Sequence, residues 1–413
     1  MPEEEIPVSE TFPVTVIRWP SLVCSTFVAE AAMRGNSGIT PGWSAAPRGA
    51  RSIQKTRNKS ASQGRKEGFI GEVFWTLPAE SASLSLPCRL KEASLSALLF
   101  GFRRLRGDMS SFSPSLAEWL PAPEPADPTA EPRLHVVCRT SAQLGAVLTS
   151  PVAVASVTLD YEDLRRYADA VETARRTPEA PPLFLATPRI QKSGEEGFFK
   201  LIARAAPDGV LIRNLGGIQW FRREAPELTR VGDFSLNVSN PITARLFREQ
   251  GLERLTLSYD LNAGQALDLL QSAPPQWFEL TLHQHMPLFH MEHCVFCTFL
   301  SEGTDYTNCG RPCESQEVRL RDRVGQEHLL SADTGCRNTL FNGRAQTAAR
   351  YFQPFLDSGL RDYRLELLRE DASATWQLLR IYDDLLAGRI EGDEAWSEVG
   401  AISRLGVTEG TLG

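Results

Sequence analysis

The sequence predicts an α/β protein whose main domain is a TIM-like (β/α)8 barrel carrying a Cys-rich insertion between its seventh and eighth strands. From residue 133 onward, short β-like runs are each followed by a turn and an amphipathic helical pattern. Eight such runs occur, and eight alternating β/α units close naturally into a barrel. The longest interruption of that alternation, residues 283–342, is crowded with cysteine and histidine. An open doubly wound sheet is the alternative for the same alternation.

The expected strands are 134–138, 156–160, 183–187, 209–213, 233–237, 254–258, 277–283 and 363–368. Helical patterns fit at 141–148, 161–175, 195–205, 242–250, 263–272 and 346–359. The barrel with its insertion spans 133–390, and 391–413 reads as a C-terminal tail. Ahead of it, residues 121–132 form a stiff Pro-rich linker, and 67–120 a small segment with a strand-like run at 69–75. Residues 1–66 are expected to be disordered, because 34–66 combine Gly, Ser, Pro, Arg and Lys with almost no apolar periodicity. A basic arm touching nucleic-acid phosphates is the functional alternative there.

With 42% hydrophobic and 23% charged residues, the chain has ample material for a core. A net charge of −7 argues against a generally adhesive nucleic-acid binder but leaves room for a local basic groove. No run approaches the roughly 18 apolar residues of a membrane span. The start, Met-Pro-Glu-Glu-Glu, lacks the features of a signal peptide, so cytoplasm is expected.

Five of the eight cysteines and five of the six histidines fall within the 54 residues from His283 to Cys336. Cys294, Cys297, Cys309, Cys313 and Cys336 follow C-x2-C, C-x11-C, C-x3-C and C-x22-C spacing, which suits soft-metal ligation. Spacing alone leaves structural zinc and an iron–sulfur cluster equally open. Proteolysis would need a nucleophile with its base, or a metal-activated water. Neither G-x-S-x-G nor H-E-x-x-H occurs, and a ligated thiolate is not a free nucleophile.

Polar residues at the predicted C-terminal strand ends supply the rest of the candidate site. Arg189 and Arg213 suit an anionic ligand, and Asn237 and Asp260 stand at the same level, although such residues also serve as helix caps. His283 and His285 alternate on one strand face and are candidate acid–base groups, with Glu292 a candidate proton carrier. His290, His293 and His328 are left open.

Residues 281–297, 308–314 and 330–342 together resemble the peptidase U32 family, and in particular the C-terminal half of its long two-module members. Ala186-Thr-Pro-Arg-Ile190, Gly232-Asp-Phe-Ser-Leu-Asn237 and Ser258-Tyr-Asp-Leu-Asn262 resemble the same half. The resemblance implies a TIM-like barrel with a [4Fe–4S] cluster on four cysteines. It also implies one of two activities: a collagenase-like protease, as the family name records, or an oxygen-independent hydroxylase. Hydroxylase-like relatives act on tRNA, ribosomal RNA or the ubiquinone ring, and those acting on RNA draw oxygen from a small carboxylate, prephenate. A non-catalytic metal-binding partner module is the third reading. Two departures stand out. Cys294 and Cys297 are separated by two residues where the family usually has six, and the N-terminal module of the long members is absent, which leaves room for a partner that supplies it. The expected ligands are Cys297, Cys309, Cys313 and Cys336, with Cys294 as the fifth thiol.

Overall fold

Eight parallel strands close into a ring. The computed structural model describes residues 14–18 and 116–413, apart from 123, 125, 126, 128 and 404. The expected disorder of 1–66 fails at Val14–Arg18, which form a strand; the rest of 1–66, the basic-arm alternative and nearly all of the 67–120 segment lie outside the described residues. The barrel strands are β2 (Arg133–Cys138), β3 (Ser156–Leu159), β4 (Leu183–Ala186), β5 (Gly209–Ile212), β6 (Thr229–Gly232), β7 (Arg254–Thr256), the first half of β8 (Phe278–Met291), and β12 (Asp362–Glu366). Each is parallel to the next, and β12 lies between β8 and β2, which closes the sheet.

The ring is tight where β4, β5 and β6 meet. A Cβ on Gly209 would fall 2.3 Å from the Phe184 ring and 2.6 Å from the Thr229 carbonyl, so only glycine fits there. Helices follow the strands, and five of them start at side-chain caps. Thr140 and Gln143 form a capping box, and Asn214, Asn240, Asn262 and Asp371 each accept an N–H from the third residue of their helix.

Four further expectations need correction. The fifth strand is Thr229–Gly232, not 233–237; Phe234–Leu236 is a 3-10 turn, and Asn237 is left-handed with φ 54°. The alternation in Phe-Ser-Leu-Asn mimics a strand, while Thr-Arg-Val-Gly carries little β signal of its own. The unexpected helix Leu215–Glu224 contains Gly216 and Gly217, which oppose helix intrinsically. It forms because Asn214 caps it and Ile218 and Phe221 are buried. A Cβ on Gly217 would meet Ile212 at 3.1 Å, so glycine lets the helix lie close on its strand. The helix expected over 346–359 is confined to Phe352–Asp357, because Gln346 and Thr347 stay in a strand. Finally, 391–413 is no loose tail. It contains helix Gly392–Ile402 and strand β13 (Val407–Thr408), and Leu412 enters the core. The linker also lies against the barrel, with the Ala130 carbonyl accepting from Arg361 at 2.7 Å and Glu124 from Gln276 at 2.8 Å.

The insertion is an antiparallel sheet. The second half of β8 leaves the barrel and pairs with β11 (Arg337–Thr347), followed by β10 (Glu327–Asp333) and β9 (Glu317–Arg321). Strand β1 (Val14–Arg18) lies parallel to β9. Val295 and Phe296, from helix Val295–Leu300, pack with Val318, Leu320, Leu330 and Leu340 in a small core separate from that of the barrel. Among the described residues no helix is long and apolar enough to cross a membrane.

Candidate functional site

The barrel interior is ionic where layers of branched apolar side chains are usual. Arg364 pairs with Asp233 at 2.7 Å, with Glu366 at 3.3 Å, and with Glu279. Arg254 pairs with Glu279 at 2.5 Å. Arg213 pairs with Asp160 at 2.6 Å and Asp233 at 3.0 Å, and Arg139 with Asp160 at 3.2 Å and Glu366 at 2.9 Å. These four guanidiniums face four carboxylates, so the lattice balances. Burial opposes ionisation of Glu366, yet Arg139 and Arg364 hold it down to about 2. Arg213, expected to meet a ligand, is 4% exposed and committed to this lattice.

Arg189 stands outside that balance. Its guanidinium lies 5.0 Å over the Phe234 ring, and Phe234 stacks on Tyr259 at a centroid distance of 3.9 Å. The Tyr259 hydroxyl donates to Glu366 at 2.9 Å, which fixes the stack to the lattice. Among the described residues no carboxylate reaches Arg189 at ion-pair distance; burial and the charge of Arg213 push its pKa down. Asn237, in its left-handed turn, accepts the Ser258 hydroxyl at 2.6 Å. Asp260 is exposed just beyond β7.

The insertion is fastened over this end of the barrel. Arg337, 2% exposed, binds both oxygens of Glu195 at 2.9 and 3.0 Å and Glu292 at 2.9 Å, and Lys192 also pairs with Glu292. Glu292 is therefore part of a clasp. Thr334 adds a hydrogen bond to the Glu162 carbonyl at 3.2 Å.

Two tight turns carry cysteines. In Cys309-Gly-Arg-Pro-Cys313, Gly310 and Arg311 are consecutively left-handed, with φ 68° and 51°. At the β10–β11 turn, Gly335 and Cys336 are likewise left-handed, with φ 78° and 60°. A non-glycine residue in that region costs on the order of 1 kcal/mol, and such strain gathers at functional sites. Backbone N–H groups point at two of the sulfurs: Cys297 N–H at Cys294 Sγ, and Arg311 N–H at Cys309 Sγ, each at 3.4 Å. Burial raises the Cys297 thiol, and Cys309, Cys294 and Cys336 raise it further; burial, Cys294 and Cys309 do the same to Cys336. Cys313 is raised by burial, then by the charge of the Glu162 carboxylate, and by Cys294 as well. Among the described residues, no three His, Cys, Asp or Glu side chains converge on one point as ligands of a single ion would.

The histidines divide. His283 is 2% exposed, with Nδ1 3.1 Å from the Tyr382 hydroxyl, and burial pushes its pKa down to about 4. His285 donates from Nδ1 to the Asn342 carbonyl at 2.8 Å, and its Nε2 is 3.6 Å from Glu370. His293 bonds Thr298 at 2.7 Å, and His328 lies 3.4 Å from Asp322. His290 is held by Thr339 at 2.9 Å and lies 3.6 Å from Asp333. Among the described residues one serine–histidine–aspartate chain is present, Ser156, His135 and Asp362, with both contacts at 2.7 Å. It is buried near the N-terminal strand ends, opposite the face where barrels place their chemistry.

Sequence reasoning missed Asp233, Glu279, Glu366, Glu370, Asp333 and the Phe234–Tyr259 stack. Phe-Glu-Leu-Thr-Leu-His (278–283) and Asp-Tyr-Arg-Leu-Glu (362–366) did hold a signal. Polar residues at every second position of a strand mark one face as polar.

Fold and site together define a (β/α)8 barrel with a thiol-bearing sheet folded over its C-terminal mouth. The chain belongs to peptidase family U32, whose family model matches residues 190–405, just over half of the sequence. It is 22% identical over 228 residues to the tRNA hydroxylation protein P of Helicobacter pylori, covering 53% of each chain. It therefore spans about half the length of that curated relative. Among solved structures it is similar to the U32 peptidase Mk0906, at 12% identity and a TM-score of 0.36 over 60% of this chain and 98% of that one. A dihydrodipicolinate synthase family protein from Coccidioides immitis is similar at 11% identity and a TM-score of 0.37, over 67% and 78%. At such scores these likenesses add nothing to the fold read from the strand pairing.

Proposed function

We propose that this chain is an RNA-modifying enzyme of family U32, which hydroxylates a base of tRNA or ribosomal RNA without dioxygen. The observation that carries the reading is the fastening of the cysteine-bearing insertion over a barrel mouth that holds Arg189, with which no carboxylate of the described residues pairs. The tRNA hydroxylation protein among its relatives supports RNA as substrate.

Cys294, Cys297, Cys309 and Cys336 would hold a [4Fe–4S] cluster, which exchanges Cys294 for Cys313 relative to the sequence expectation. The donor set fits such a group. As thiolates these groups would repel one another until a cationic centre shares them, and backbone N–H groups already aim at two of the sulfurs. Structural zinc would need its four donors on one centre, and among the described residues no three His, Cys, Asp or Glu side chains meet in that way. The cluster supplies one-electron chemistry that protein side chains lack.

The chain's own residues do the rest. Arg189 would take the carboxylate of a small oxygen donor such as prephenate. The Phe234 and Tyr259 rings hold that guanidinium in place from below, and the ionic lattice keeps the barrel beneath rigid. A peptidase reading has less support, because the chain of Ser156, His135 and Asp362 is sealed at the barrel floor. Mass mapping of tRNA and ribosomal RNA from a strain lacking the gene tests the proposal. It predicts one nucleotide lighter by a single oxygen atom; an unchanged RNA profile together with peptide cleavage by the pure protein contradicts it.

A further inference from the structure

We propose that His290, oriented by Thr339 and Asp333, is the proton-accepting residue of the reaction and presents Nε2 to the ligand at the barrel mouth. This rests on the reading above that the mouth is the active site. His290 lies in the half of β8 that has left the barrel, opposite Thr339 of β11. Its Nδ1 is 2.9 Å from the Thr339 hydroxyl, and that hydroxyl donates to Asp333 Oδ2 at 3.3 Å. With its proton given to the carboxylate, the Thr339 oxygen is left to accept from Nδ1–H. The neutral ring then carries its lone pair on Nε2. That nitrogen is buried and has no hydrogen-bond partner among the described residues. Such an orphan has lost its hydrogen bond to water without a replacement and calls for a group from outside the chain.

The other candidates lack this combination. His283 also has an unpartnered Nε2, but the whole ring is sealed against Tyr382. His285 has both nitrogens facing protein acceptors, the Asn342 carbonyl and Glu370.

The charges around His290 suggest how it would respond to a ligand. Burial disfavours the imidazolium, Asp333 favours it, and Arg189, Arg213 and Arg337 oppose it. Arg213 and Arg337 are neutralised by their own carboxylates, whereas Arg189 is not. An anion bound to Arg189 cancels that opposing charge and makes Nε2 a stronger base, so the ligand readies its own proton acceptor. In the step itself a ligand O–H or N–H bond breaks, its electron pair stays on the ligand, and an N–H bond forms at Nε2. Asp333 balances the imidazolium through Thr339, and the proton later returns to product or solvent.

The test uses the full chain, purified without oxygen and labelled with nitrogen-15 in histidine. NMR near neutral pH should show His290 with its proton on Nδ1, and Thr339→Val should disturb that tautomer. Acetate, as a carboxylate probe, should move the His290 titration upward in the wild type but not in Arg189→Gln. With RNA from the deletion strain, His290→Asn keeps a donor for Thr339 but removes Nε2. It should lower kcat by about 10²–10⁴-fold, with KM for RNA and iron content unchanged. Thr339→Val should give a smaller loss with a displaced pH profile. A wild-type ring protonated on Nε2, an acetate shift that survives Arg189→Gln, or near-normal kcat in His290→Asn overturns the proposal. If the wild type modifies no RNA, the functional reading fails by itself, and the tautomer and the acetate shift still decide the state of His290.

Discussion

His283 illustrates how burial sets the state of a single side chain. An unfolded histidine titrates near 6.5, while burial pushes His283 down to about 4. Between those values the unfolded chain binds the extra proton, so stability falls as pH drops through this window, by about 2 kcal/mol at pH 5. Glu366 and Glu370, both held down to about 2, add losses of their own only below about 4.5. Urea midpoints measured from pH 7 to 5 should therefore decline in the wild type and decline less in His283→Gln; equal slopes would show that the ring is not buried neutral. At this scale the sequence disclosed residue types but not their commitments. Arg189 and Arg213 read alike, and only the fold reveals that Asp160 and Asp233 consume Arg213.

Elements are joined by contacts that no local pattern announces. Arg337 reaches Glu195 across 142 residues and fastens the β10–β11 turn to the barrel. Replacing Glu195 with Ala leaves a buried guanidinium with Glu292 alone. Removing one partner of a buried pair costs up to about 3–5 kcal/mol, and solvent at Glu195 should hold this loss to about 1–3 kcal/mol. Hydrogen exchange should speed up in peptides spanning 292–342, while those from β2 to β5 stay protected; uniform protection would mean that the small core holds the insertion without the clasp. The same dependence on context explains the misplaced fifth strand. Thr229–Gly232 is a strand because its neighbours pair with it on both sides, whereas Phe-Ser-Leu-Asn alternates without pairing.

For the molecule as a whole, the barrel was legible because eight strand–helix units repeat one pattern, and a repeat survives an error in any single unit. The insertion was legible by composition, since thiols and imidazoles crowd one stretch. Its antiparallel sheet was not, because β8 continues unbroken from barrel into insertion and hides the boundary. The proposal that Cys313 is the fifth thiol likewise needs the fold, which sets that thiol near the charge of the Glu162 carboxylate. The central claim is that the cysteine turns hold a [4Fe–4S] cluster over the barrel mouth. Iron and sulfide analysis of protein purified without oxygen tests it most directly. The wild type and Cys313→Ala should each carry about four iron and four sulfide per chain with broad visible absorbance. Cys294→Ala and Cys336→Ala should lose both. A wild-type chain that binds zinc without sulfide would contradict the claim, and a cluster lost in Cys313→Ala but kept in Cys294→Ala would restore the ligand set expected from sequence.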